Sequence, residues 1–180
     1  MKIIETPLNG LYIIEPKVFK DERGYFYESY NQKIFEESGI NNVFVQDNQS
    51  LSQKNVVRGL HFQHPPFAQA KLVRVIKGAV LDVAVDIRKN SPTYGKSFSI
   101  ELNEENFLML YIPVGFAHGF ATLEDNTIFA YKCSNFYNKA SEETILWNDE
   151  DLNIQWNISN PILSEKDKLG KKFCNFMSPF

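Results

Sequence analysis

Residues 80–88 read Val-Leu-Asp-Val-Ala-Val-Asp-Ile-Arg. The odd-numbered side chains from Leu81 to Ile87 are large and apolar, whereas the even-numbered ones from Asp82 to Arg88 are small or charged. Successive side chains of an extended chain point to opposite faces, so this alternation separates an apolar face from a polar one. The pattern predicts a β-strand and places Asp82 on its polar face.

Similar runs, rich in β-branched and aromatic residues, predict further strands on both sides of this one. They are Leu11–Ile14, Lys71–Ile76, Phe98–Leu102, Phe107–Ile112 and Thr127–Ser134. Turn residues separate several of them, at Lys77-Gly78, Ser91-Pro92 and Pro113-Val114-Gly115. Many short strands with frequent turns indicate an all-β sandwich or barrel of jelly-roll type.

Helical signals are few. Asn31–Ser38 predicts a short helix that ends at Gly39, and Ser164–Leu169 predicts another that ends at Gly170. No repeat or linker-like stretch interrupts the chain, so we expect one domain over residues 1–180.

Composition narrows the class of protein. Of the 180 residues, 43% are hydrophobic and 23% charged, and the net charge is −3. This balance is typical of a globular protein, and the scattered positive residues argue against a nucleic-acid or membrane partner. No signal-peptide or membrane-spanning run is present, so we expect a cytoplasmic protein. Cys133 and Cys174 match no metal or redox spacing.

The three histidines allow a metal site to be weighed. His118 lies in Pro113-Val114-Gly115-Phe116-Ala117-His118, which resembles the PxGxxH motif of the cupin superfamily. Metal-binding cupins carry an earlier HxH motif, but the corresponding stretch here contains Lys71, whose ammonium group does not ligate a cation at neutral pH. We expect no metal, although a site formed by His61, His64 and His118 together remains an alternative.

A wider set of motifs resembles the dTDP-4-dehydrorhamnose 3,5-epimerase family, a non-metal branch of the cupins. The matching segments, in family order, are Asp21–Glu28, Gln46–Ser50, Val57–Gln63, Gln69–Val73, Asp82–Arg88, Ile112–Phe120, Trp147–Asp149 and Leu163–Asp167. One departure is Asn138-Lys139-Ala140-Ser141, which lacks a proline often found there. The resemblance implies a cupin-type jelly roll and a dTDP-4-keto-6-deoxy sugar as substrate.

The implied reaction inverts C3 and C5 of the sugar. Both hydrogens lie α to the C4 carbonyl, so the reaction needs a base, an acid across the ring and a group that stabilises the C4 oxygen, but no cofactor. The resemblance assigns the base to His61, its orientation to Asp167, the C4 oxygen to Lys71 and the acid to Tyr131.

Each of these assignments has a structural alternative. His61 alone would be a hydrogen-bonded imidazole, and Asp167 an exposed acid near a helix end. Lys71 would be a strand-edge lysine that reaches solvent, and Tyr131 a core or surface residue. A lysine inside an apolar strand is costly unless it is paired or used, which favours a role for Lys71. Asp82 could pair with Lys71 or His61.

The nucleotide requires further groups, which the resemblance also supplies. Arginine binds diphosphate through two hydrogen bonds and a permanent charge. The implied binding residues are Arg23 and Arg58 for phosphate, Tyr137 stacked on the base, Phe26 close to the nucleotide, and Glu28, Gln46, Asn48, Lys71, His118, Glu142 and Lys166. The family forms homodimers that exchange an N-terminal strand, so we expect Arg23, Phe26 and Glu28 to serve the partner's pocket.

Other functions remain open at this point. An enzyme that inverts only C3 or only C5 would carry the same four catalytic residues. A non-catalytic sugar-nucleotide binder would not need a complete acid–base set, and a metal cupin would not carry Lys71.

Overall fold

A computed structural model describes all residues from Met1 to Phe180. The fold consists mainly of two β-sheets that face each other. The strands are β1 (Lys2–Glu5), β2 (Tyr12–Glu15), β3 (Phe19–Asp21), β4 (Gly24–Phe26), β5 (Gln46–Ser52), β6 (Val57–Gln63), β7 (Lys71–Lys77), β8 (Ala79–Asp86), β9 (Ser97–Asn103), β10 (Met109–Ile112), β11 (Phe116–Thr122), β12 (Thr127–Cys133) and β13 (Glu142–Thr144). The helices are α1 (Gln32–Glu37) and α2 (Glu165–Lys168), with short 3₁₀ turns at Lys139–Ser141 and Phe173–Asn175.

The strand order is that of a two-sheet sandwich. One sheet has six strands in the order β1-β2-β10-β7-β12-β5, and the other has five in the order β13-β6-β11-β8-β9. Every strand pair is antiparallel, and β3 and β4 form a separate hairpin. The all-β prediction is confirmed.

Both faces of the sheets are covered. Between the sheets, Val73 and Phe129 of one sheet pack against Ala84 and Phe120 of the other. The outer face of the five-stranded sheet is covered by the C-terminal segment, and α1 covers the outer face of the six-stranded sheet through Phe35. Since both faces are buried, even the polar face of β8 lies inside the protein, and Asp82 is fully buried.

The strands and helices predicted from apolar runs are present, with small shifts of their ends. Both predicted helices are found, with Asn31 and Ser164 as their N-caps. The strand predicted from Phe107 begins only at Met109, because Phe107 has a left-handed backbone (φ 55°) that a strand does not accommodate. No helix has the length and apolarity required to cross a membrane.

A β-bulge in β6 fixes the direction of two side chains that matter below. His61 pairs with His118, but Arg58 pairs with Phe120, so two residues of β6, Gly59 and Leu60, lie opposite one residue of β11. Without the extra residue, positions 58 and 61 would point to opposite faces of the sheet. With it, Leu60 joins the outer core while both Arg58 and His61 face the interior cavity.

Gly59 is required for this bulge. Its φ is +129°, and a Cβ at this position would lie 2.4 Å from the Cα of Gly119 on the neighbouring strand. Gly24 has the same φ of +129°, but a Cβ there would meet nothing within 4 Å. Substitution of Gly24 therefore tests backbone strain alone, whereas substitution of Gly59 tests strain together with a steric clash.

We predict that Gly59→Ala lowers the free energy of unfolding by more than about 3 kcal/mol, because strain and a backbone clash add. Gly24→Ala carries the strain alone and should cost about 1–2 kcal/mol. Urea denaturation of both variants measures the difference. Equal losses would show that the approach of Gly59 to Gly119 does not constrain the sheet.

Candidate active site

A cavity opens between the two sheets, above the stacked rings of Phe120 and Phe129. Its volume is about 280 Å³, and an adjoining lobe adds about 170 Å³. The predicted site residues that line one or both parts are Gln46, Asn48, Arg58, His61, Lys71, His118, Tyr131, Tyr137, Glu142, Lys166 and Asp167. These residues come from six strands, one loop and α2, so the fold gathers residues that are far apart in sequence.

His61 and Asp167 form a hydrogen-bonded pair at the cavity wall. His61 Nε2 lies 2.6 Å from Asp167 Oδ1. Asp167 is 3% exposed, although its sequence position suggested a surface acid near a helix end. Its pKa is below the usual range: burial alone would raise it, but the hydrogen bonds from His61 and Ser164 outweigh burial. The carboxylate is therefore ionised and can only accept.

The protonation state of His61 depends on its burial and on its contact with Asp167. Burial lowers the pKa of His61, while the hydrogen bond to Asp167 opposes that shift and nearby Lys166 and Lys71 add to it. The imidazole is thus neutral at pH 7. Since ionised Asp167 accepts a hydrogen bond from Nε2–H, Nδ1 carries the free lone pair. This is the protonation state that a general base needs.

Lys71 and Tyr131 face each other from neighbouring strands, β7 and β12. The Lys71 Nζ lies 5.9 Å from the centroid of the Tyr131 ring. Lys71 is half-buried, and burial lowers the pKa of its ammonium group. Burial raises the pKa of the Tyr131 phenol. The Lys71 amino group therefore lies in the cavity close to a phenol that keeps its proton, and does not reach away from the cavity as a strand-edge lysine would.

The expected pairing of Asp82 with Lys71 or His61 is wrong as a hydrogen-bond assignment. The Asp82 carboxylate oxygens lie 3.1 and 3.0 Å from His118 Nε2. Asp82 is paired with Phe120 on the neighbouring strand β11, and His118 lies two residues from Phe120 on the same face. Asp82 still acts on Lys71 through its charge and opposes the fall of the lysine pKa. Each histidine thus has its own carboxylate, since His64 contacts Glu143 outside the cavity.

The adjoining lobe contains a continuous chain of hydrogen bonds. Gln46 accepts from the backbone N–H of Tyr137 at 3.0 Å and donates to Asn48 at 3.1 Å. The Tyr137 hydroxyl donates to Glu142 at 3.1 Å, and Lys166 Nζ lies 2.7 Å from the same carboxylate. The Tyr137 ring is half exposed and forms one side of the lobe, as a stacking residue would.

Three predicted binding residues lie outside the cavity. Arg23 and Phe26 belong to the exposed β3–β4 hairpin, where Arg23 pairs with Asp21 at 2.5 Å and Phe26 is 66% exposed. Glu28 accepts a hydrogen bond from Asn31 at 3.1 Å. Within one chain, nothing brings these side chains to the residues around His61.

Several cavity residues were not singled out from the sequence. Ser50 lines the cavity with a buried hydroxyl that has no hydrogen-bond partner within the chain. Gln63 donates to the carbonyls of Phe67 and Phe136 and accepts from the N–H of Asn138, so it holds the loop that carries Tyr137. Ser164, at the start of α2, contacts Asp167. Alternation along the strands could have identified two of these residues. Ser50 lies on the same face of β5 as Gln46 and Asn48, and Gln63 lies on the same face of β6 as His61.

Comparisons with known proteins show which family and which solved structures this chain is similar to. A family profile described as dTDP-4-dehydrorhamnose 3,5-epimerase matches residues 5–175. The dTDP-4-dehydrorhamnose 3,5-epimerase of Shigella flexneri is 56% identical over 174 residues, which are 96% of each chain. The crystal structure of this enzyme from Elizabethkingia anophelis superposes with a TM-score of 0.93 at 54% identity, covering 97% of both chains. The crystal structure of a Legionella pneumophila 3,5-epimerase in complex with dTDP-4-keto-L-rhamnose superposes with a TM-score of 0.94 at 48% identity, covering 98% of this chain and 94% of the other.

We predict that NMR titration finds the His61 midpoint below about 6.5, because burial disfavours its charged form. Asp167→Asn should lower the midpoint further, since the carboxylate favours the imidazolium, and Lys71→Met should raise it by removing a nearby positive charge. With only three histidines in the chain, substitution of each assigns its resonance. Shifts of both variants in the same direction would contradict this account of the site.

Proposed function

The chain belongs to the dTDP-4-dehydrorhamnose 3,5-epimerase family, and we propose that the cavity between its two sheets is the active site. The protein is an isomerase that converts dTDP-4-dehydro-6-deoxy-glucose to dTDP-4-dehydro-rhamnose by inverting C3 and C5. The observation that carries the proposal is the His61–Asp167 pair in the same cavity as Lys71 and Tyr131.

His61 acts as the base. The hydrogens on C3 and C5 lie α to the C4 carbonyl, so the base removes each one to give an enolate. His61 is neutral at pH 7, and the Asp167 carboxylate fixes its tautomer and stabilises the imidazolium that forms. The cavity wall keeps the base largely away from water, which supports its neutral state before the reaction.

Lys71 stabilises the enolate. As the proton leaves, negative charge develops on the C4 oxygen, and a fixed cation beside that oxygen lowers the barrier. The Lys71 ammonium group is half-buried, where its charge acts more strongly than it would in water. A cost of burying the ammonium group is therefore offset when the enolate forms.

Tyr131 donates its own proton to the carbon from the opposite face, and proton exchange with solvent then restores neutral His61 and the Tyr131 phenol before the next inversion. Inversion requires an acid that is separate from the base, because a proton given back by His61 alone would restore the original configuration. The Tyr131 phenol has a raised pKa and keeps its proton until the enolate needs it. Its position on the six-stranded sheet, with His61 on the five-stranded sheet, supports proton transfer from opposite sides.

The dTDP portion occupies the polar rim and the adjoining lobe. Arg58 and Lys166 provide positive charge for the diphosphate, and Tyr137 provides the surface on which thymine stacks. Gln46, Asn48, Glu142 and His118 complete the polar lining as hydrogen-bonding groups. The side chains hold the substrate and move its protons, and the reaction as written needs no cofactor.

The active enzyme is a homodimer in which the β3–β4 hairpin completes the partner's site. Arg23, Phe26 and Glu28 are exposed and do not reach the cavity of their own chain. Phe19, Tyr25 and Phe26 form an exposed aromatic patch on the hairpin, and a patch of this kind marks a protein–protein contact. β1 pairs with β2 of its own chain, whereas the β3–β4 hairpin pairs with no other strand of the chain and is free to reach a partner. We also propose that residues 1–180 act as one domain in the cytoplasm.

We predict that His61→Ala lowers the rate of epimerisation by about 10³-fold, because a general base contributes on that order. The affinity for dTDP, measured by isothermal titration calorimetry, should remain within about twofold, since the ring acts on the sugar and not on the nucleotide. A variant that retains full activity would exclude His61 as the base.

We predict that Tyr131→Phe separates proton removal from inversion. The variant keeps the ring, and His61 can still form the enolate, so deuterium from solvent should enter the substrate. Conversion to product should fall by about 10²-fold, because the opposite face lacks its acid. Unchanged conversion would assign the acid elsewhere.

A mixed dimer tests the hairpin exchange. We predict that co-expressed His61→Ala and Arg23→Ala/Phe26→Ala chains, each inactive or weakly active alone, regain activity because one of the two pockets of each heterodimer is then intact. About one site in four of the random mixture, and about one in two of the purified heterodimer, should be active. Purification through two different tags isolates the heterodimer, and sedimentation gives its mass. If no activity returned, the hairpin would serve its own chain or no site.

A further inference from the structure

Ser164 makes two hydrogen bonds to the same residue, Asp167. As the N-cap of α2, its Oγ accepts from the Asp167 backbone N–H at 3.2 Å. Its hydroxyl also donates to Asp167 Oδ2 at 2.6 Å. An N-cap needs only the first of these bonds, because its task is to accept from a free helical N–H. The second bond is additional to capping.

The two oxygens of Asp167 are used in different directions. Oδ1 faces His61 Nε2 at 2.6 Å and accepts from the Gly59 N–H at 3.4 Å. Oδ2 is bound by Ser164. In the usual capping box, the acidic residue at this helix position turns back to the N–H of the N-cap. Here the serine hydroxyl holds Oδ2, which leaves Oδ1 directed at the imidazole.

We propose that Ser164 is a positioning residue for the catalytic base: its hydroxyl fixes the Asp167 carboxylate in the orientation that holds His61 ready to accept a proton. This inference rests on the proposed function. Ser164 lines the same cavity as His61 and Asp167. It acts through the carboxylate and not on the substrate, so its removal should affect kcat more than KM.

Loss of the hydroxyl has a predictable effect on charge. A hydrogen bond to a carboxylate disperses its negative charge, so removing the donor makes Asp167 a stronger partner for the imidazolium. The proton affinity of His61 then rises, and the acid limb of the pH–rate profile moves to higher pH. The other titratable groups that face the cavity are Arg58, Lys71, His118, Tyr131, Glu142 and Lys166. A change at Ser164 leaves all of them in place.

Three substitutions separate positioning from helix capping. Ser164→Ala loses both the cap and the donor, and Ser164→Gly loses the donor at little cost to capping, because glycine is nearly as good an N-cap as serine. Ser164→Thr keeps the hydroxyl for both bonds. The matched control is Ser91→Ala: the Ser91 hydroxyl donates to buried Asp86 at 2.6 Å, outside the cavity.

The experiment measures kcat and KM for dTDP-4-dehydro-6-deoxy-glucose across pH 5–9, with thermal denaturation alongside. We expect Ala and Gly variants to lose kcat by about tenfold, a typical effect of one hydrogen bond to a charged group, and to share an upward shift of the acid limb. Thr should restore both values. The Ser91 control should lose stability without a change in the pH profile.

Two results would overturn the proposal. One is a Gly variant with the kcat and pH profile of the unsubstituted enzyme, which would make Ser164 a helix cap only. The other is a loss of kcat in proportion to thermal stability across all four variants. An inactive unsubstituted enzyme would instead refute the proposed function, which keeps the two failures distinct.

Discussion

The close approach of Gly59 to Gly119 is the constraint on which the site depends. Only a residue without a Cβ fits there, and the extra residue it introduces into β6 turns Arg58 and His61 to the same side of the sheet. Leu60, between them, remains in the outer core. Arg58 and His61, the proposed phosphate-binding residue and base, thus share one cavity, although their spacing along a regular strand would separate them. The backbone conformation of β6 therefore sets the direction of both side chains.

Burial then sets the protonation states. The same partial removal from water lowers the pKa values of His61 and Lys71 and raises that of Tyr131. Asp167 is the exception, because its hydrogen bonds outweigh burial and keep it ionised. The result at neutral pH is a neutral imidazole, a protonated phenol and an ionised carboxylate bound to the imidazole. Burial, opposed by hydrogen bonds at Asp167, therefore gives these three groups the protonation states that the proposed reaction requires.

The sequence predicted the strands in which apolar residues dominate, and these include β7 and β12, which carry Lys71 and Tyr131 into the site. It did not predict β5 (Gln46–Ser52), because the inward side chains of that strand are polar. In β6, the glycine and the bulge interrupt the alternation that identifies a strand. The roles of His61 and Asp167 came from family resemblance, because no local pattern connects residues 106 positions apart. The partner of Asp82 depended on strand order, which periodicity does not reveal.

We propose that one base, with an acid opposite it, exchanges the protons at both carbons next to the C4 carbonyl. Proton NMR of dTDP-4-dehydro-6-deoxy-glucose incubated with the protein in deuterated water measures this exchange directly. We expect deuterium to enter at both C3 and C5 and a downstream reductase then to produce dTDP-rhamnose. Label at only one of the two carbons would contradict double inversion and indicate a mono-epimerase, and no label at either carbon would contradict the chemistry assigned to His61.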